Sequence, residues 1–122
     1  MFFIKSFENL FIWQNSIKIA INTYKLLANC NDFGLRNQIQ RASVSISSNI
    51  AEGSERGSDK EFIRFLRISK GSIAELRTQL TIAIEVKLIN TLEAKELLND
   101  CIKTSKMIQN FIAVRAKNVL KV

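Results

Sequence analysis

Residues 48–58 read SNIAEGSERGS, a polar stretch carrying Gly53, Gly57 and Ser58 in a chain that is otherwise rich in spaced apolar residues. Glycines and a serine at close spacing raise the question of a phosphate-cradling loop. A Walker-type loop requires GxxxxGK[ST] after a buried strand. Here the glycines are one residue too close, no lysine precedes Ser58, and the preceding residues have a helical period. The Rossmann pattern GxGxxG is also absent. Helix-end chemistry fits better. Gly53 stands where a left-handed cap would close a helix. Ser58-Asp59-Lys60-Glu61 matches the S-x-x-E capping box just ahead of Phe62. The stretch therefore reads as a helix end, a short turn and a helix start.

Other chemistry is restricted by composition. The chain has no histidine, which removes the commonest general base, the commonest metal ligand and the Ser-His and Cys-His pairs. Di-metal sites in helical bundles need ExxH pairs, which cannot form here. Cys30 and Cys101 lack metal-ligand spacing and read as reduced, packed thiols. Glu75 and Gln79 share one flank of a helical segment near Ser72 and are expected to join a structural polar network with Gln38 or Asn49. No nucleophile–base pair stands out. The expectation is a protein that is not an enzyme and uses no cofactor.

The elements that carry these residues follow from periodicity. The 122 residues make one domain, and an apolar fraction of 47% is enough for a core. The first helical segment spans about 6–29, with Leu10, Trp13, Ile17, Ile21, Tyr24 and Ala28 as its core stripe. The second spans about 33–53 on Leu35, Ile39, Ala42, Ile46, Asn49 and Ile50. The third spans about 59–88, where Phe62, Leu66, Ser69, Ile73, Leu76, Leu80 and Ala83 alternate steps of four and three, the seam of shallow-angle packing. The fourth spans about 91–119 on Leu98, Cys101, Ser105, Ile108, Ile112 and Val119. Asn31 or Asp32 can cap the second segment, and Asn90 or Thr91 the fourth. Proline is absent and no segment sustains a period of two. The expected fold is all-α, an antiparallel up-down four-helix bundle. No stretch approaches the ~18 apolar residues of a membrane span, so a cytoplasmic protein is expected.

Several stretches resemble one family. FENLFIWQ (7–14), FGLRNQIQRASVSISSNIAEG (33–53), SDKEFIRFLRISKGS (58–72) and AELRTQL (74–80) are similar to the four-helix-bundle proteins encoded in intervening sequences of bacterial 23S ribosomal RNA genes, also called S23-like. The resemblance implies a bundle that assembles as a homopentamer. A related accessory protein of diversity-generating retroelements works with a reverse transcriptase and nucleic acid, so such an enzyme is an implied partner. The family often has proline where this chain has Ser47, so a kink in the second helix is expected to be weaker.

Two surface features remain. On the first segment, Ile12, Ile19 and Leu26 form a second apolar row opposite Ile17 and Tyr24. On the third, Ile68, Ile82 and Val86 form another. Both rows are candidate subunit interfaces. Lysine and arginine exceed aspartate and glutamate by 18 to 11, giving +7. Lys60, Arg64 and Arg67 fall opposite Leu66 and Ile73. Lys103, Lys106, Lys117 and Lys121 gather opposite Cys101 and Ile108. These are candidate contacts for RNA or DNA phosphates, without sequence preference. Lys18 and Lys25 are expected to belong to neither set. Arg115 points toward the core stripe and is expected to be paired or to sit at a rim. The leading expectation is a homo-oligomer binding nucleic acid or a nucleic-acid-handling partner. The alternative is a protein-interaction scaffold whose charge serves solubility.

Overall fold

A computed structural model describes residues 6–120. After a 3-10 turn, Phe7–Asn9, the chain forms four α-helices: α1 (Phe11–Leu26), α2 (Phe33–Ser54), α3 (Asp59–Glu85) and α4 (Thr91–Leu120). At ~1.5 Å per residue, α3 and α4 are each roughly 40–45 Å long. They pack as a square, each helix on its two neighbours, with none of the diagonal pairs in contact. Short corners make every neighbouring pair antiparallel. Among the described residues there is no strand.

The corners are set by local hydrogen bonding. Asp32 caps α2 by accepting from the Leu35 amide at 3.0 Å. Ser58 caps α3 by accepting from the Glu61 amide at 3.2 Å. Asn90 caps α4 by accepting from the Glu93 amide at 2.9 Å. After α3 the chain turns through Lys87, at φ 61°. The Leu88 amide there returns to the Ala83 carbonyl at 2.9 Å, closing the helix by the six-to-one bond of a Schellman turn.

Gly53 departs from its expected role. It lies inside α2, which continues to Ser54, and the left-handed residue of this corner is Gly57, at φ 86°. What Gly53 provides is proximity. A Cβ added there would stand 2.5 Å from the Cβ of Phe65, so α2 and α3 approach at a distance only glycine permits. Ser47 accommodates α2 without a break, its hydroxyl donating to the Val44 carbonyl at 3.3 Å.

The core confirms the stripe of α3 and most of that of α2, shifts that of α4 and reverses that of α1. Phe62, Leu66, Ser69, Ile73, Leu76, Leu80 and Ala83 of α3 are all buried, as are Ile39, Ala42, Ile46 and Ile50 of α2. On α4, Cys101, Ile108 and Ile112 are buried as expected, but Leu98, Ser105 and Val119 are only half-buried, and Ala94, Leu97 and Thr104 take the inward positions. On α1 the two rows exchange roles beyond the first turn: Leu10 and Trp13 still pack against the core, while Ala28 is exposed. Ile12 and Ile19, expected to face a partner subunit, are buried at 4% and 1% exposure, and Leu26 is half-buried against the core. Ile21 and Tyr24, expected inside, are about half exposed, at 49% and 47%. The buried row is Ile12, Ser16, Ile19 and Thr23, alternating steps of four and three. Its two hydroxyls are not a burden. Ser16 donates to the Ile12 carbonyl and Thr23 to the Ile19 carbonyl, each at 2.6 Å, so neither hydroxyl is buried unpaired.

Candidate nucleic-acid interface

Both sets of basic side chains lie on the outside of the bundle, and their surroundings differ. Lys60, Arg64 and Arg67 are exposed on α3, interleaved with acids. The Arg64 guanidinium grips Glu61 through two hydrogen bonds, 3.0 and 3.2 Å. The bond from Arg64 is the main reason the Glu61 carboxyl ionises below its usual range, and in turn Glu61 holds Arg64 more firmly protonated. Arg56 pairs with Glu52 at 3.1 Å. Arg56 and Arg64 both stack on Phe65, at 4.8 and 4.6 Å from its centroid, the ring that Gly53 admits against α2. Arg64 is thus neutralised locally, whereas Lys60 and Arg67 form no ion pair among the described residues.

Lys103, Lys106 and Lys117 on α4 are exposed, and among the described residues none of them forms an ion pair. Lys121 lies outside the described residues. Lys18 of α1, expected to stand apart, shares a groove of about 270 Å³ with Lys103 and Asp100, between α1 and α4, and Lys25 lines the neighbouring hollow. The seam between α1 and α4 holds a hollow on either side of this one. Toward the α3–α4 corner the hollow is lined by Glu93, Glu96 and Asp100. Toward the start of α1, beyond the contact of Asn15 with Met107 that bridges the seam, lies a separate apolar hollow of about 520 Å³, walled by Leu10, Phe11, Met107, Phe111 and Val114. The sequence signal that could have placed Lys18 here is the seven-residue row Phe11, Lys18, Lys25, which keeps one flank of α1.

Arg115 lines the apolar hollow as expected of a rim residue. It donates to Asp59 at 2.9 Å and covers the faces of Phe111 and Phe62, at 4.8 and 5.4 Å. The Glu75–Gln79 network does not form. Glu75 is exposed, and Gln79 is buried with its Oε1 lacking a partner among the described residues. Asn49 instead donates to the carbonyl and hydroxyl of Ser45, at 2.8 and 2.9 Å. Ser45 meets Ser72 of α3 at 2.9 Å. Cys30 and Cys101 are buried free thiols. Burial first, and the Asp100 charge second, push Cys101 up to about 12, so it stays protonated and unreactive. Among the described residues, no three thiol or carboxylate groups converge as a metal site requires, and no helix is long and apolar enough to cross a membrane.

The square of four antiparallel helices defines the class: an all-α up-down bundle with a basic outer surface. The model of the 23S rRNA-intervening sequence protein family matches residues 8–110, and the chain belongs to that family. Among solved structures it is similar to a protein of unknown function from the S23 ribosomal protein family of Bacteroides thetaiotaomicron VPI-5482, with 27% identity and a TM-score of 0.77 over 83% of this chain and 97% of that one. No curated protein gives a match.

Proposed function

We propose that this protein is a non-enzymatic, homo-oligomeric bundle, five-membered as the family resemblance implies, that works in the cytoplasm on nucleic acid. It binds RNA or DNA, or an enzyme that handles them such as a reverse transcriptase, through basic outer faces. The observation that carries this reading is the α4 row: Lys103, Lys106 and Lys117 are exposed and unpaired among the described residues, with no acidic residue after Asp100. Such a row interacts with phosphates rather than with its own fold, and a ring would repeat it, adding avidity on a polyanion. Self-association is supported by apolar side chains left on the surface. Ile68, Ile82 and Val86 are 43%, 48% and 57% exposed, and Ile21 and Tyr24 of α1 add to them.

The test is a gel-shift titration with structured RNA and duplex DNA across a range of salt, with light scattering on the same preparation. Binding that falls steeply with salt is expected. Absence of any shift at low salt leaves the interaction-scaffold reading, in which the charge serves solubility. A monomer at roughly tens of micromolar, where a modest apolar interface should hold, overturns the oligomer.

A further inference from the structure

We infer that the nucleic acid is an unpaired strand seated in the α1–α4 groove, with one base stacked on Phe11. This rests on the nucleic-acid reading above and narrows it to one seam and one form of ligand.

Three observations converge on that seam. The first is charge. Lys18 and Lys103 face the same groove from opposite walls, and Lys106 and Lys117 lie exposed further along α4, outside the groove lining. From Lys103 to Lys117 the row runs about 21 Å at ~1.5 Å per residue. The α3 cations are a poorer track, because Glu61 already occupies Arg64. The second is direction. Toward the α3–α4 corner Glu93 and Glu96 outnumber the one cation, Lys25, and Asp100 stands at the boundary, lining this end and the Lys18–Lys103 hollow alike, so phosphate is disfavoured beyond it. A strand is therefore confined to the half between Lys18 and the start of α1, enough for about four nucleotides, the low end for small binding domains. The third is the aromatic. Phe11 is 73% exposed, at the mouth of the apolar hollow, with Met107 and Val114 across from it. Val114 is one turn short of Lys117. An exposed ring beside a phosphate track rewards a base whose face is free, and bases inside a duplex have no free face. A duplex would also present two phosphate rows to a single row of lysines.

The experiment measures fluorescence anisotropy with a short labelled oligouridine, alone and annealed to oligoadenosine. Wild type should prefer the single strand, with a log–log salt slope of about −3 for four neutralised phosphates. Lys18→Glu with Lys103→Glu should weaken single-strand binding at least about tenfold more than the equal charge change Lys60→Glu with Arg67→Glu on α3. Phe11→Ala should lose roughly tenfold on the single strand and leave the duplex unchanged. All four lysine and arginine positions are exposed, and circular dichroism verifies that each variant keeps its helix content. Equal losses from the two charge pairs, or tighter binding to the duplex, overturn the seam while leaving the nucleic-acid reading in place. A Phe11→Ala protein that changes mass in light scattering assigns the ring to self-association and also overturns it. Failure of wild type to bind either probe at low salt defeats the nucleic-acid reading itself.

Discussion

Where α2 meets α3, the helices touch through Gly53, Ser69 and Ser72. On α1 and α4 the buried residues include Ile12, Ile19, Leu97 and Ile108, and hollows lie along the seam between the two helices. Small side chains bring backbones together, and the α2–α3 seam is tied by polar contacts. Ser69 donates to the Ile46 carbonyl at 2.9 Å across the seam, and Ser45 meets Ser72. Neither α1 nor α4 contains a glycine, and their seam stays open as a groove. The cross-seam hydrogen bond there is a weak one, from Asn15 to the Met107 sulfur at 3.1 Å. One seam is therefore closed to everything but itself, and the other leaves a surface with charge and an aromatic ring free to act. A bundle can hold its shape with one half and meet partners with the other.

The largest effect should come from the reversed face of α1. Ile12→Lys with Ile19→Lys places two charges in the core and should cost more than about 4 kcal/mol, enough to unfold a domain of ordinary stability. Ile21→Lys on the opposite row should stay within about 0.5 kcal/mol. Circular dichroism during urea titration separates these outcomes. A double variant that remains fully folded would show that the outer row, not this one, builds the bundle.

Next come two glycines of opposite sign. Gly53→Ala must push its Cβ into Phe65, close to the α3 backbone. After the gain of about 1 kcal/mol in helix preference, it should still lose about 2 kcal/mol. Gly71→Ala, with nothing within 4 Å of its new methyl, should gain up to about 1 kcal/mol. The urea midpoints should move in opposite directions. A Gly53→Ala midpoint at or above wild type would mean that the α2–α3 seam is not closely packed.

The smallest contrast compares the two cross-seam hydrogen bonds. Ser69→Ala should cost about 1 kcal/mol, since its hydroxyl is buried and bonded to the neighbouring helix. Asn15→Ala should cost less than about 0.5 kcal/mol, because its amide is half-buried and its partner is a thioether. Equal losses would remove the distinction between the seams.

The sequence by itself determined the helices, their order and most of their inward faces. Spacing is a local property: the four-three alternation from Phe62 to Ala83 leaves one geometry in which those side chains share a face. Asp32, Ser58 and Asn90 were legible for the same reason, since a cap bonds an amide three residues away. What only the tertiary structure decided was every choice between equivalent local options. Helix α1 carries two apolar rows of similar strength. The row interrupted by Ser16 and Thr23 looked the worse, because a hydroxyl is costly to bury without a partner. Bonding each hydroxyl to the carbonyl four residues back removes that cost, and the fit against α2 and α4 then selects the row. Gly53 could have ended a helix or admitted a neighbour, and the position of Phe65 on another helix settled it. Lys18 belonged to no patch until α4 placed Lys103 across a groove from it. A period tells which residues share a face, and packing against other helices tells what that face meets.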